Sequence, residues 1–204
     1  MQLLSALLNP KLRPPGPSMD IRLMGPRVML RAASPADWRG WRALREASRD
    51  FLVPWEPEWP KNALTYGFFS GLLRRHWRDW RQGRAYAFFV FRYGAGDQPD
   101  ELIGGITLSD VQRGIAQKGT LGYWIGKPYM GQGLMTETAG LVCDFAFGTL
   151  KLHRIEASCM PNNEPSKRLL KRLGFVEEGY AKAYLRINGA WHDHVLWGRN
   201  AKAQ

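Results

Sequence analysis

The sequence predicts a single α/β domain built on one mixed sheet with helices on its faces. Three observations lead there. Through the second half of the chain the segments run strands, helix, strand, helix, strands, the order of a mixed sheet. The 204 residues fit one domain, or one domain plus a short arm, at roughly 100–200 residues per domain. With 45% hydrophobic and 23% charged residues the composition is that of a folded protein, and no internal repeat is present.

Taken in order, a Pro-rich arm over 1–20 precedes a domain over 21–204. The opening MQLLSALL is apolar but lacks a basic leader and runs into prolines, which argues against a secretory signal. Residues 28–32 read as the first strand. Ser34 and Pro35 open a helix, with Trp38, Trp41 and Leu44 near helical spacing. The prolines of PWEPEWP, 54–60, predict a loop rather than regular structure. A helix is expected over 64–81, then strands over 85–92 and 102–109 joined by the turn 94–100. Further strands fall at 121–126, 153–160, 178–187 and 192–198, with Asn188-Gly189 as a hairpin turn. Between them, 131–148 starts as a Gly-rich turn and becomes a helix, and 164–174 is a short helix ended by glycine.

Twenty-nine Lys and Arg against eighteen Asp and Glu give a net charge of +11, which points to an anionic partner: nucleic acid, an anionic membrane surface or a phosphorylated cofactor. No apolar run approaches about 18 residues, so no membrane span is expected and the cytoplasm is the default location. Cys143 and Cys159 lie in apolar stretches and read as reduced thiols rather than a disulfide or zinc framework. His153, His192 and His194 have no ligand cluster around them, so no metal is expected. The run Arg74, Arg75, Arg78, Arg81 and Arg84 reads as a solvated helix face, with ribosomal RNA or another polyanion as the alternative.

Two stretches carry chemistry. In YWIGKPYMGQGLMTE, a strand containing Trp124 and Ile125 runs into a turn bearing Gly131 and Gly133, and a helix begins at once. Glycine admits close approach to a ligand, and the first helical amides have no internal partner, so the turn suits a pyrophosphate. It is not a Walker loop, because no Gly-Lys-Ser/Thr follows, and Thr136 stands where a Rossmann fingerprint needs its third glycine. In PNNEPSKRLLKRLGF, Asn163 either hydrogen-bonds an amide-bearing ligand or caps the following helix. The pairs Lys167/Lys171 and Arg168/Arg172 read as a solvated face.

In this order, about thirty residues apart, the two stretches resemble the GNAT superfamily of acetyl-CoA-dependent N-acetyltransferases. The pattern [Arg/Gln]-x-x-Gly-x-[Gly/Ala] becomes Met130 to Met135 here. The pattern Asn-x-x-[Ser/Ala]-x-x-Leu before Gly-Phe becomes Asn163, Ser166 and Leu169 before Gly174-Phe175. The stretch from His153, the final LLKRLGFVEEGYAKAYLRINGAWHDHVL and the loop FLVPWEP are similar to the RimJ/RimL ribosomal-protein N-terminal acetyltransferases, RimJ most of all. The resemblance covers roughly 27–197 and implies a largely antiparallel sheet with helices on both faces.

It also implies acetyl-CoA as co-substrate, held by Trp124, Ile125, Gly131, Gln132, Gly133, Leu134, Met135, Thr136 and Asn163. The pantetheine arm is expected between the strand of Tyr123 to Ile125 and the strand ending near Cys159. The acceptor implied is the N-terminal amine, alanine, of a ribosomal protein, with Trp55 and Glu56 of the PWEP loop at the acceptor side. Other readings are another protein terminus, a small amine, or a basic RNA- or ribosome-binding module without turnover. Met130 and Met135 depart from the pattern at positions that mainly present backbone. Leu170 stands where many members carry a tyrosine general acid, and Ser166 is expected to protonate the departing thiolate, with helix capping as its simpler role. Glu56, Glu178 and Asp193 are candidates for a general base, each with a structural or substrate-positioning role as the simpler reading, and a water relay is the equal alternative.

Overall fold

The computed structural model describes residues 17 to 202, so most of the arm expected over 1–20 lies outside the described residues. Its last part is packed on the domain: Met19 touches the core, and Trp80 Nε1 donates to the carbonyl of Pro17 at 2.8 Å. The chain then forms β1 (Arg22–Met24), β2 (Val28–Arg31), α1 (Trp38–Ala47), α2 (Arg49–Leu52) and α3 (Tyr66–Arg81). Next come β3 (Tyr86–Arg92), β4 (Glu101–Gln112), β5 (Lys118–Ile125), α4 (Leu134–Asp144) and β6 (Arg154–Cys159). α5 (Glu164–Arg172), β7 (Val176–Ile187) and β8 (Ala190–Asn200) complete it.

The strands make one eight-stranded sheet in the order β1-β2-β3-β4-β5-β6-β8-β7. Every neighbouring pair is antiparallel except β5 and β6, which run parallel. That one junction is short. Lys118, Gly119 and Thr120 register against Arg154, Ile155 and Glu156, and beyond them the strands part. β4 continues to hold β5 as far as Ile125, and β8 holds β6 as far as Cys159. Tyr123 reaches α5 while its neighbour Trp124 lies against Arg45 of α1. Successive strand side chains point to opposite faces, so helices cover both sides of the sheet, as expected.

Of the differences from the sequence expectation, which include α2 and a β4 that runs on to Gln112, three have a clear physical cause. β1 has only three residues and no alternation to announce it; pairing with β2 creates it. β5 begins at Lys118 rather than 121, because antiparallel pairing to β4 and parallel pairing to β6 override the weak β propensity of KGT. The PWEP loop contains a 3₁₀ turn over Val53–Trp55, since a proline in a first turn forfeits no hydrogen bond.

α3 starts at Tyr66, where Thr65 Oγ1 accepts from the Phe68 amide at 3.3 Å. It buries Phe69, Leu73 and Trp80, and Trp80 makes edge contacts with Tyr86 and Phe88. Arg74, Arg75, Arg78, Arg81 and Arg84 are all exposed, and Arg78 and Arg84 both pair with Asp79. Cys143 and Cys159 are free and buried. Among the described residues no helix is long and apolar enough to cross a membrane, and no three His, Cys, Asp or Glu side chains gather as metal ligands.

His76, on the same helix, makes stability depend on pH. Burial, assisted by the neighbouring Arg75 and opposed by Asp79, lowers its pKa from 6.5 to about 4. Its Nδ1 is buried without a hydrogen-bond partner among the described residues. The unfolded chain therefore binds a proton that the folded chain refuses. The stability contributed by neutral His76 is full above about pH 6.5 and lost as pH falls toward about 4. His76→Phe should flatten the melting-temperature profile across that window; an unchanged slope would assign acid sensitivity to other groups.

Candidate active site

The divergence of β5 and β6 opens a cleft of about 380 Å³. Tyr123, Trp124 and Ile125 form its β5 wall, the turn and first residues of α4 one end, and α5 the facing wall. Phe51, Leu52, Trp55 and Glu56 close the other end. Of the residues expected at a site, only Gln132 is missing from the lining. Its amide side chain turns back to the Pro128 carbonyl at 3.0 Å, and its own carbonyl accepts from Arg27 Nη1 at 3.0 Å.

The turn before α4 has the conformation its glycines allow. Gly131 and Gly133 have φ of +77° and +75°, in the left-handed region where a side chain is strained. The first amide to find a backbone acceptor is that of Glu137, on the Gly133 carbonyl. Amides 131 to 136 meet no acceptor among the described residues, so six consecutive N–H groups lie at the positive end of the α4 dipole. The turn is braced from outside. Glu137 accepts from the main-chain N–H and the Nε of Arg27, both at 2.8 Å. Arg168 and Arg172 line the cleft. Both are exposed, as the solvated face read from the sequence requires, and that face borders the cleft where α5 begins.

At the start of α5 the capping role falls to Asn163, whose Oδ1 accepts from the Ser166 amide at 3.1 Å. The simpler role considered for Ser166 is therefore filled by another residue. Its hydroxyl instead lies 2.7 Å from the hydroxyl of Tyr123, across the gap between α5 and β5. Burial raises the Tyr123 pKa to about 12, the Ser166 hydrogen bond opposing and the Cys159 thiol adding to the shift. Tyr123 was not singled out from the sequence, because a tyrosine in an apolar strand looks like core. Leu170, at the position where the resemblance places a tyrosine, is fully buried and its side chain belongs to the core.

Glu56 is the one carboxylate lining the cleft among the described residues, and its charge is committed internally. Arg45 donates through both terminal nitrogens to its two oxygens at 2.7 Å, and Trp59 Nε1 donates to Oε2 at 2.8 Å. The Arg45 guanidinium lies 4.2 Å from the Trp59 ring centroid and 4.9 Å from that of Trp124. The Glu56 carbonyl accepts from the Asn188 amide at 2.8 Å, tying the PWEP loop to the β7–β8 turn. Glu178 is paired with Arg154, and Asp193 accepts from Tyr180 at 2.7 Å and from the Ala183 amide at 2.8 Å. Those partners hold both carboxyls below their ordinary range. None of the three carboxylates considered as a base is free.

Comparison with known proteins gives a consistent picture. A family model described as an acetyltransferase (GNAT) domain matches residues 27–176. The [ribosomal protein uS5]-alanine N-acetyltransferase of Escherichia coli is 38% identical over 179 residues, 86% of this chain and 89% of that protein. The probable N-acetyltransferase YjcK of Bacillus subtilis is 35% identical over 174 residues, 85% of this chain and 94% of that protein. A solved structure of Mycobacterium smegmatis RimJ in complex with CoA-disulfide superposes with a TM-score of 0.80 at 32% identity, covering 86% of this chain and 82% of that one.

The Arg45–Glu56 pair generates a stability prediction. Arg45 and Glu56 are only 14% and 18% exposed, and Arg45 Nε is buried without a partner among the described residues. Removing the carboxylate strands a largely buried cation. Glu56→Ala should cost about 3 kcal/mol of stability, read as a lower melting temperature; an unchanged value would show that water compensates the arginine fully.

Proposed function

Because the chain belongs to the GNAT family of acetyltransferases, we propose that it moves acetyl from acetyl-CoA to the N-terminal α-amine of a ribosomal protein, alanine being the favoured residue. The chain is an acetyl-CoA-dependent N-acetyltransferase. The RimJ structure bears CoA as its disulfide, and the E. coli relative is named for the alanine of uS5; both support the reading. The amides of Gly131 to Thr136 receive the pyrophosphate, with Gln132 contributing backbone only, and Arg168 and Arg172 face it from α5. Asn163, Trp124 and Ile125 flank the pantetheine, which occupies the opening between β5 and β6 as a strand would.

One observation carries the choice of an α-amine: no carboxylate considered as a base is uncommitted. The attacking nitrogen must be neutral. An N-terminal amine has a pKa of about 7.7–8.0 against about 10.4 for lysine, so it presents its neutral form near neutrality with water as the proton acceptor. Trp55 forms part of the acceptor wall, and Glu56 shapes it through Arg45 and Trp59 rather than by holding the amine. A β5 amide polarises the thioester carbonyl as the tetrahedral centre forms. Ser166 then protonates the departing sulfur.

Acetyl-CoA should raise the melting temperature at concentrations well above its dissociation constant. Intact-mass analysis of ribosomal proteins from cells with and without the gene tests the acceptor. One ribosomal protein beginning with alanine should lose its acetyl group in the deletion; unchanged masses throughout would leave another protein terminus or a small amine as acceptor.

The role of Ser166 is tested kinetically. Since Asn163 caps α5, Ser166→Ala should leave the melting temperature and the acetyl-CoA KM nearly unchanged while lowering kcat by about 10²-fold. Full turnover in that variant would hand thiolate protonation to water.

A further inference from the structure

The bond between Tyr123 and Ser166 does more than join β5 to α5. We infer that Tyr123 is a positioning residue for thiolate release: its phenol donates to Ser166 Oγ and thereby turns the serine's own proton into the cleft. The inference rests on the reading of Ser166 as proton donor and extends it to a residue on another element. Both side chains line the cleft, and their hydroxyl oxygens are 2.7 Å apart.

Two hydroxyls at that distance share one proton along the line between them, so one donates and the other must aim its proton elsewhere. The chemistry decides which. A phenol is a stronger acid than an alcohol, hence the better donor, and Tyr123 keeps its proton at every working pH because its pKa lies near 12. The titratable group acting on it is the Cys159 thiol of β6, itself raised by burial and therefore neutral, so no charged acceptor competes for the phenol proton. Ser166 is held at its other end too, since its amide is fixed on Asn163. With Oγ accepting from Tyr123, its O–H is left for the neighbouring Cys159 thiol, a weak acceptor, or for a stronger acceptor such as a thiolate arriving in the opening between the strands.

The proton count closes without Tyr123 changing state. The neutral amine nitrogen bonds the acetyl carbon, and the carbon–sulfur bond breaks with its electron pair on sulfur. Ser166 passes its proton to that sulfur and recovers one by way of water from the nitrogen, which sheds a proton as the amide forms. Tyr123 holds its phenolic proton throughout and supplies only direction. The Tyr123–Ser166 pair brings to the cleft the hydroxyls that Leu170, buried in the core and absent from the lining, does not.

A double-mutant cycle tests this. Tyr123→Phe removes one oxygen and should lower kcat about tenfold, the worth of one hydrogen bond, with acetyl-CoA KM unchanged. In the Ser166→Ala background the same substitution should add no further loss. An equal loss in both backgrounds, or none in the first, overturns the inference while leaving Ser166 as donor. Full activity in Ser166→Ala removes the donor reading itself, and Tyr123 falls with it. Should Tyr123→Phe fail to fold, 3,5-difluorotyrosine at position 123 gives a second readout. Its more acidic phenol becomes a phenolate at alkaline pH and then accepts from Ser166, so kcat should acquire an alkaline fall that the unsubstituted enzyme lacks. Identical pH profiles would overturn the inference.

Discussion

The constraint on which the rest depends is the failure of β5 and β6 to stay paired. After three registered residues each strand keeps its outer partner and loses its inner one, so Leu121–Ile125 and Ala157–Cys159 face each other across a gap. Leaving polar backbone groups unpaired in a narrow cleft costs about 1–3 kcal/mol for each buried group without a partner. The two halves of the sheet are nevertheless fixed, by β4 on one side and β8 on the other. An extended, amide-bearing molecule can satisfy both edges without displacing anything. The Gly-rich turn lies where β5 ends, and α5 begins where β6 ends, so the proposed places of the pyrophosphate, the thioester and the proton donor all follow from the same divergence.

The +11 charge divides into separate physical roles. Arg168 and Arg172 are exposed at the edge of the cleft, where the proposed anionic co-substrate would meet them. Arg27 spends its donors on Glu137 and the Gln132 carbonyl, bracing the turn rather than titrating the ligand. Arg45 is an internal cation whose charge is cancelled by Glu56 and whose flat guanidinium fills space between tryptophan rings. The outward run on α3 is mostly solvated, with two of its members on Asp79. Net charge alone therefore says little about which anion is bound; where each arginine sits says more.

Much of the fold was legible because its long segments have clear periodicity or punctuation. The GQG turn, the Asn188-Gly189 hairpin and the glycine after α5 all act through local backbone chemistry, which sequence displays directly. What escaped was set by tertiary placement. β1 exists through its partner, and that the exposed Arg168 and Arg172 border the cleft depends on where α5 sits. The commitment of Glu56 to Arg45 joins residues eleven apart through a bend that no period encodes. Asn163 and Ser166 were both recognised as possible caps of one helix, but only coordinates divide the labour, giving the cap to Asn163 and leaving the serine hydroxyl to Tyr123.

That division bears on how the enzyme handles protons. A carboxylate base in the cleft would impose its own pKa on turnover and, if strong enough, admit lysine side chains as acceptors. The cleft instead presents a neutralised Glu56, a phenol near pKa 12 and an alcohol that does not titrate in water. The phenol and the alcohol do not change state between about pH 6 and 9, and on the proposed reading the acidic limb of the rate profile belongs to the acceptor amine. On the proposed reading, selectivity for α-amines needs no dedicated pocket for the ammonium group. A site that accepts only nitrogen already neutral favours, at physiological pH, a chain terminus over lysine by between two and three powers of ten.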